Sequence, residues 1–215
     1  MTSILDKILD YLINSNRFNS VVTVIDRDIE SMLYLDALNA LKEPIEQGEY
    51  VLITAYDSLQ NAIRDLRRVG IDYEDKLGET LFLFDAFGSV KKIYEPDITG
   101  VFSIPGYVDD NVFILKYKAL INEIISSFPE APKKAYVLGY NEAGMCRLFH
   151  NPIKVQKLIW SLRRDVPFEV LKLVTYRPAE CPPLEEVAYL HSDFVVEGFV
   201  EGTVRRTVIS KGVLP

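Results

Sequence analysis

Ile4, Leu5, Ile8, Leu9, Leu12 and Ile13 fall on one side of a helical wheel, so residues 3–15 read as an amphipathic helix. The β-branched run at 21–25 that follows has the pattern of a strand covered on both faces. Helical spacing returns over 32–42, with Pro44 and Gly48 punctuating its exit, and 50–55 is a second strand. A helix is predicted from Ser58 to Val69, with Gly70 in the position of a C-cap. The third strand, 81–84, ends at Asp85. Residues 86–108 carry Gly88, Pro96, Gly100, Pro105 and Gly106 and read as one long loop. Beyond it the pattern gives a helix from Asp109 and Asp110 to about Ser127 and a strand over 134–138. A helix over 152–164, a strand over 168–175 and a short helix over 182–191 come next. The chain closes with a hairpin, 194–199 and 203–210, turning at Glu201-Gly202.

Strands alternating with helices imply a mostly parallel sheet joined by βαβ crossovers, and nearly all-apolar strands imply helices on both sheet faces. No repeat or linker divides the chain. The expectation is a single α/β domain over 1–215, with an N-terminal amphipathic helix (1–16), the long loop 86–108 and an antiparallel hairpin at one edge.

Composition narrows the function. Of 215 residues 48% are hydrophobic, enough for a substantial core, and 31 acidic against 24 basic residues leave a net charge of −7. A pI near 5.0 argues against a dedicated nucleic-acid binder. Cys146 and Cys181 lack metal-ligand spacing and are expected to be reduced and buried. The N-terminus has no cationic lead of a signal peptide and no stretch is long enough for a membrane span, so a cytoplasmic protein is expected.

The first strand, turn and helix have the layout in which a P-loop cradles phosphates. Glycines would let backbone N–H groups approach the anion, a lysine would reach the β- and γ-phosphates, and a Ser/Thr would hold Mg²⁺. Here the turn is Asp26, Arg27, Asp28, Ile29, Glu30 and Ser31, with neither glycine nor lysine and with three carboxylates in the anion's place. Clustered carboxylates can hold a divalent cation. The plainer reading is a solvated turn in which Asp28 caps the next helix, and no metal is assigned.

In order and spacing the chain resembles the RecA-like ATPases of the KaiC/RadA type. Leu5, Asp6 and Leu9 resemble the helix preceding that family's P-loop strand. AYDSLQNAIRDLRRVGID (55–72) is similar to its paired-glutamate segment, with Tyr56 and Asp57 at the glutamate positions. LFLFDAF (81–87) resembles its strand ending in Asp-Ala, KKAYVLGYNEAG (133–144) its Walker B strand, and RRTVISKG (205–212) its last strand. More narrowly the chain looks like a domain-of-unknown-function family from hyperthermophilic archaea of the Pyrococcus and Thermococcus group. The resemblance implies a single three-layer RecA-like domain. It also implies lost chemistry: Gly139, followed by Tyr140, stands where the Mg²⁺-binding aspartate is expected, and the turn 26–31 keeps only a hydroxyl, Ser31. A base at Asp57 without positioned phosphate and metal has nothing to activate.

Other features have plainer readings beside functional ones. Arg64, Arg67, Arg68, Arg163, Arg164, Arg205 and Arg206 could form a basic patch or simply face solvent. In the resembled family the lysine at Lys211 reaches towards a neighbour's nucleotide. Cys146 and His150 lie close in sequence without further triad spacing, and His191 stands alone. Tyr136, Tyr140, Phe102, Tyr107 and Trp160 either line a pocket or pack a core. The apolar residues of loop 96–108 suit a partner or oligomer contact, as does the apolar stripe of helix 3–15, whose alternative is packing on its own sheet. The expected function is a non-catalytic RecA/KaiC-like interaction or regulatory module without cofactor. Its partners would be proteins or further copies of itself in a homo-oligomer, not membrane or nucleic acid. The alternatives are binding of a nucleotide or small anion without turnover, with Asp57 and Lys211 as candidate ligand contacts, and a weak residual hydrolase centred on Asp57. DNA binding ranks last.

Overall fold

Ser3 opens the first helix. Its Oγ accepts the N–H of Asp6 at 3.1 Å while the Asp6 carboxylate accepts the N–H of Ser3 at 2.7 Å, a reciprocal cap that satisfies two otherwise orphaned donors. The helix so started, α1 (Ile4–Asn14), buries Leu5, Ile8, Leu9 and Leu12. The computed structural model describes residues 3–93, 98–126, 128, 132–162 and 165–214. In chain order, β1 (Val21–Asp26), α2 (Leu33–Asn39), α3 (Lys42–Glu46), β2 (Tyr50–Ala55) and α4 (Leu59–Arg68) follow. Then come β3 (Leu81–Asp85), α5 (Ala86–Lys91), β4 (Val101–Phe102), α6 (Asp110–Ser126), β5 (Lys134–Tyr140) and α7 (Met145–Leu148). The last elements are α8 (Pro152–Leu162), β6 (Glu169–Tyr176), α9 (Glu185–His191), β7 (Phe194–Glu201) and β8 (Val204–Lys211).

The strands form one eight-stranded sheet in the order β4-β3-β2-β5-β6-β1-β7-β8. All neighbours are parallel except the β7–β8 hairpin. Side chains of β1 alternate between two cores: Val22 and Val24 join the cluster under α1–α4, whereas Val21 and Ile25 join the one under α6–α8. That two-sided burial is why the strands read as continuous apolar runs. Ile25 stands opposite Tyr176, Gly139 opposite Val174 and Ala55 opposite Tyr140, so β1, β6, β5 and β2 end side by side. Among the described residues no helix is long and apolar enough to cross a membrane.

Three expectations about the elements and the cysteines need correction. The helix expected over 32–42 stops at Asn39, and Pro44 lies in the first turn of the separate α3, where its missing N–H would have had no partner. Part of the long loop 86–108 is ordered structure, α5 and β4. Gly88, read from the sequence as part of that loop, is required in the helix: the Asp85 carboxylate accepts its N–H at 2.7 Å, and a Cβ on Gly88 would meet that carboxylate at 2.1 Å. Pro96 lies outside the described residues, as do Arg163 and Arg164 at the end of the expected helix.

The third correction concerns the cysteines, which are not free thiols. Cys146 on α7 and Cys181, just ahead of α9, form a disulfide. Their segments follow β5 and β6, which are neighbours in the sheet, so a separation of 35 residues in sequence closes in space. No thiol therefore remains for a pairing of Cys146 with His150.

The bridge should stabilise mainly by restricting the unfolded chain, by about 4 kcal/mol for a loop of this length. In urea, dithiothreitol should lower the wild-type midpoint, and the Cys146→Ser/Cys181→Ser variant should start low and ignore the reductant. Equal midpoints for both proteins would show that the bridge contributes nothing.

Candidate functional site: a polar cleft at the strand ends

Parallel strands that end together leave a row of peptide groups and turn residues around one crevice, where open α/β sheets place their ligands. Here the crevice is a polar cleft of about 90 Å³. The strand ends contribute Asp26, Asp57, Tyr140, Asn141, Tyr176 and Arg177. Helices α2 and α4 close the other side with Tyr34, Asn61, Arg64 and Asp65.

Asp26, the last residue of β1, is 3% exposed. Its carboxylate accepts Ser31 Oγ–H at 2.5 Å, the Leu33 N–H at 2.7 Å and the Tyr34 N–H at 3.2 Å. Leu33 and Tyr34 are the first residues of α2, so the carboxylate sits at the helix end where a P-loop protein holds a phosphate. Burial pushes the Asp26 carboxyl above its ordinary range, opposed by those donors and by the charge of Arg177. The cap is therefore Asp26 and not Asp28, whose carboxylate instead accepts the Val200 N–H at 2.8 Å.

The rest of the turn faces away from the cleft. Arg27 pairs with Glu185 at 2.6 Å and Glu197 at 2.5 Å, Ile29 is exposed, and Glu30 points to solvent. A Cβ on Gly198 would meet Ser31 Oγ at 2.7 Å, so β7 can run this close to the turn only as glycine.

Gly139 lies one residue before the end of β5. A Cβ there would come within 2.3 Å of the Glu142 carboxylate. Glu142 is fully buried and its oxygens are held on several sides: by Lys172 Nζ at 3.0 Å, Gln156 Nε2 at 2.7 Å and Trp160 Nε1 at 3.1 Å. The Lys172 ammonium lies 4.6 Å from the centre of the Trp160 ring. The carboxylate near this strand end is thus tied into a buried ion pair on the α8 side.

Asp57 lines the cleft, accepting the Ser58 N–H at 2.8 Å and Asn141 Nδ2–H at 3.4 Å, with Arg147 at 3.7 Å. Asp65 on α4 is 1% exposed and accepts the Tyr140 hydroxyl at 2.6 Å. Burial first, then the carboxylate of Asp65, hold the Tyr140 phenol far above its ordinary range. Arg177 pairs with Glu180 at 3.1 Å and lies 5.1 Å from the Tyr34 ring centre.

Asp26, Tyr140 and Asp57 therefore meet in one place, with Arg64 at the rim. Lys211 does not join them: it pairs with Val195 at the other end of the sheet and donates to the Tyr189 carbonyl at 2.6 Å. Trp160 and Tyr136 are core residues, and His191 packs edge-on to Trp160. His150 is exposed, and Tyr107 is 75% exposed. The reading by motif missed Tyr34, Asn61, Asp65, Asn141, Thr175 and Arg177. A signal for three of them was present, since Asn141, Thr175 and Arg177 mark where the apolar runs of β5 and β6 give way to polar residues.

No protein-family model matches the sequence, and no curated protein matches it. Solved structures do share its shape. An uncharacterised protein of Pyrococcus horikoshii, in complex with an unknown peptide, superposes with a TM-score of 0.79 at 17% identity, covering 96% of this chain and 89% of that one. The flagellar accessory protein FlaH of Methanocaldococcus jannaschii gives 0.58 at 10% identity over 91% of this chain and 79% of its own. A KaiC-like protein of Pyrococcus horikoshii OT3 gives 0.58 at 13% identity over 91% and 80%. The chain thus shares the α/β fold of these structures, one of them KaiC-like, with the mostly parallel sheet and antiparallel edge pair expected from its sequence.

Proposed function

We propose that this chain is a non-catalytic RecA/KaiC-like module that acts by engaging protein partners and has left nucleotide chemistry behind. The observation that carries the reading is Asp26. A buried carboxylate already caps the helix end that would otherwise hold a phosphate, and it would repel one. The absence of glycine and lysine from 26–31 supports the same reading, as does a glycine, Gly139, backed by the tethered Glu142. The peptide held by the similar Pyrococcus horikoshii protein favours a protein segment as the partner. Self-association through helix 3–15 has less support, because its stripe of Leu5, Ile8, Leu9 and Leu12 is spent in the chain's own core. An anion-binding role for Lys211 likewise has little support, given its bond to Tyr189.

Thermal denaturation with Mg²⁺-ATP, ADP, GTP or EDTA should leave the midpoint unchanged. A ligand at about 100 times its Kd adds roughly 2.7 kcal/mol, several degrees for a domain of this size. A shift of that order with any nucleotide would sink the proposal.

Restoring the missing aspartate should harm rather than revive the protein. Gly139→Asp forces a Cβ against the Glu142 carboxylate, which Lys172, Gln156 and Trp160 prevent from moving aside. We expect a loss of about 3 kcal/mol in urea denaturation and no gain of ATP binding. A stable Gly139→Asp protein that binds Mg²⁺-ATP would contradict this account.

A further inference from the structure

Two buried oxygens of residues that line the cleft have no hydrogen-bond donor: Asp65 Oδ1 and Asn141 Oδ1. Both side chains are more than nine-tenths buried, at 1% and 6% exposure. A buried acceptor left unpaired is costly, more so when it is charged, and here two belong to residues that line a single cavity. Their other polar atoms are committed. Asp65 Oδ2 accepts from Tyr140, and Asn141 Nδ2 donates to Asp57 at 3.4 Å, leaving the amide oxygen without a donor. Arg64 Nε comes only to 3.6 Å from Asp65 Oδ1, and its side chain is 68% exposed at the rim.

The cleft also has room. Its volume of about 90 Å³ is several times the roughly 10–15 Å³ that admits one water. What would complete it is a donor of several N–H bonds with positive charge. A phosphate brings only oxygens and meets the carboxylates of Asp26, Asp57 and Asp65. A metal ion needs ligands gathered at bonding distance, and among the described residues no three His, Cys, Asp or Glu side chains are so grouped. Arg177 does not compete, since Glu180 and the Tyr34 ring engage its guanidinium.

We propose that the cleft binds a cationic nitrogen group, an ammonium or guanidinium, donating to Asp65 Oδ1 and Asn141 Oδ1 beside the Tyr34 and Tyr140 rings. This rests on the reading of the chain as a partner-binding module and names the chemistry that its cleft selects: a lysine or arginine side chain of a protein segment, or a free amine. The rim residue Arg64 then acts as a weak internal competitor for Asp65.

The test is calorimetric titration of the full chain with acetyl-Ala-Lys-Ala-amide, with its norleucine counterpart, and with n-butylammonium. The lysine peptide should bind at least tenfold more tightly than the norleucine peptide. Butylammonium matching the lysine peptide would assign the site to free amines, and weaker butylammonium to peptides; either result supports the shared chemistry. Asn141→Gly and Asp65→Asn should each weaken the lysine peptide at least tenfold, and Arg64→Ala should strengthen it. Asn141 has a φ of 53°, which glycine adopts without strain, so that variant removes the acceptor and keeps the turn even if Asp65→Asn folds poorly. Equal binding of the two peptides, no binding, or variants that bind like wild type would overturn the proposal and leave a hydrated pocket. A thermal shift with Mg²⁺-ATP would instead overturn the module reading itself, so the two failures are separable.

Discussion

Everything around the strand ends depends on one carboxylate at the start of α2. A helix beginning directly beyond a buried strand exposes N–H groups that must find acceptors. In a P-loop those acceptors arrive with the nucleotide. In this chain Asp26 supplies them permanently, with the Ser31 hydroxyl as a third donor. The turn therefore needs no glycine to open a backbone nest, and its remaining charges are free to serve the tertiary structure. Arg27 ties β1 to α9 through Glu185 and to β7 through Glu197, while Asp28 holds the Val200 N–H. The cost is a negative charge in a desolvated place, seen in the raised pKa of Asp26, whose first cause is burial.

Two strands away a second carboxylate is held in a comparable way. Glu142 lies wholly inside the protein, where Lys172, also buried, lies 3.0 Å away and two uncharged donors complete the shell. A buried pair of this kind adds little net stability, because desolvation offsets attraction, but removing one partner costs about 3–5 kcal/mol. It therefore acts as a constraint. It keeps the turn after β5 packed against α8 and reserves the space beside Gly139.

Much of the fold was legible because period and punctuation agree. The two-sided strands, the α1 stripe and the closing hairpin all follow from side-chain alternation, and Gly70 with φ +73° ends α4 where the sequence put a cap. Less legible was anything decided by a long-range partner. Gly88 looks like a loop residue until the Asp85 carboxylate is seen pressed against it. The disulfide depends on β5 and β6 being neighbours, which no spacing between two cysteines reveals. At the site, Asp26 and Asp57 stood out by position, but Asp65 looked like an ordinary ion-pair partner for the arginines around it on α4. Its distinction, burial beneath the Tyr140 hydroxyl, exists only once α4 has packed across β5.

On the proposed reading, the cleft belongs to a fold that has given up one chemistry and specifies another. Four neighbouring parallel strands must end in polar turns, since their last peptide groups have no ladder to join. A crevice forms there whatever the side chains are. What they determine is its hydrogen-bond balance. A phosphate site surrounds its ligand with donors, namely backbone N–H groups and a lysine. Here Asp26 consumes the local donors, the Leu33 and Tyr34 N–H groups and the Ser31 hydroxyl, and an oxygen of Asp65 and the amide oxygen of Asn141 are left over. On that reading the crevice has a surplus of acceptors where a phosphate site has a surplus of donors, and the complement proposed for it is a cation rather than an anion.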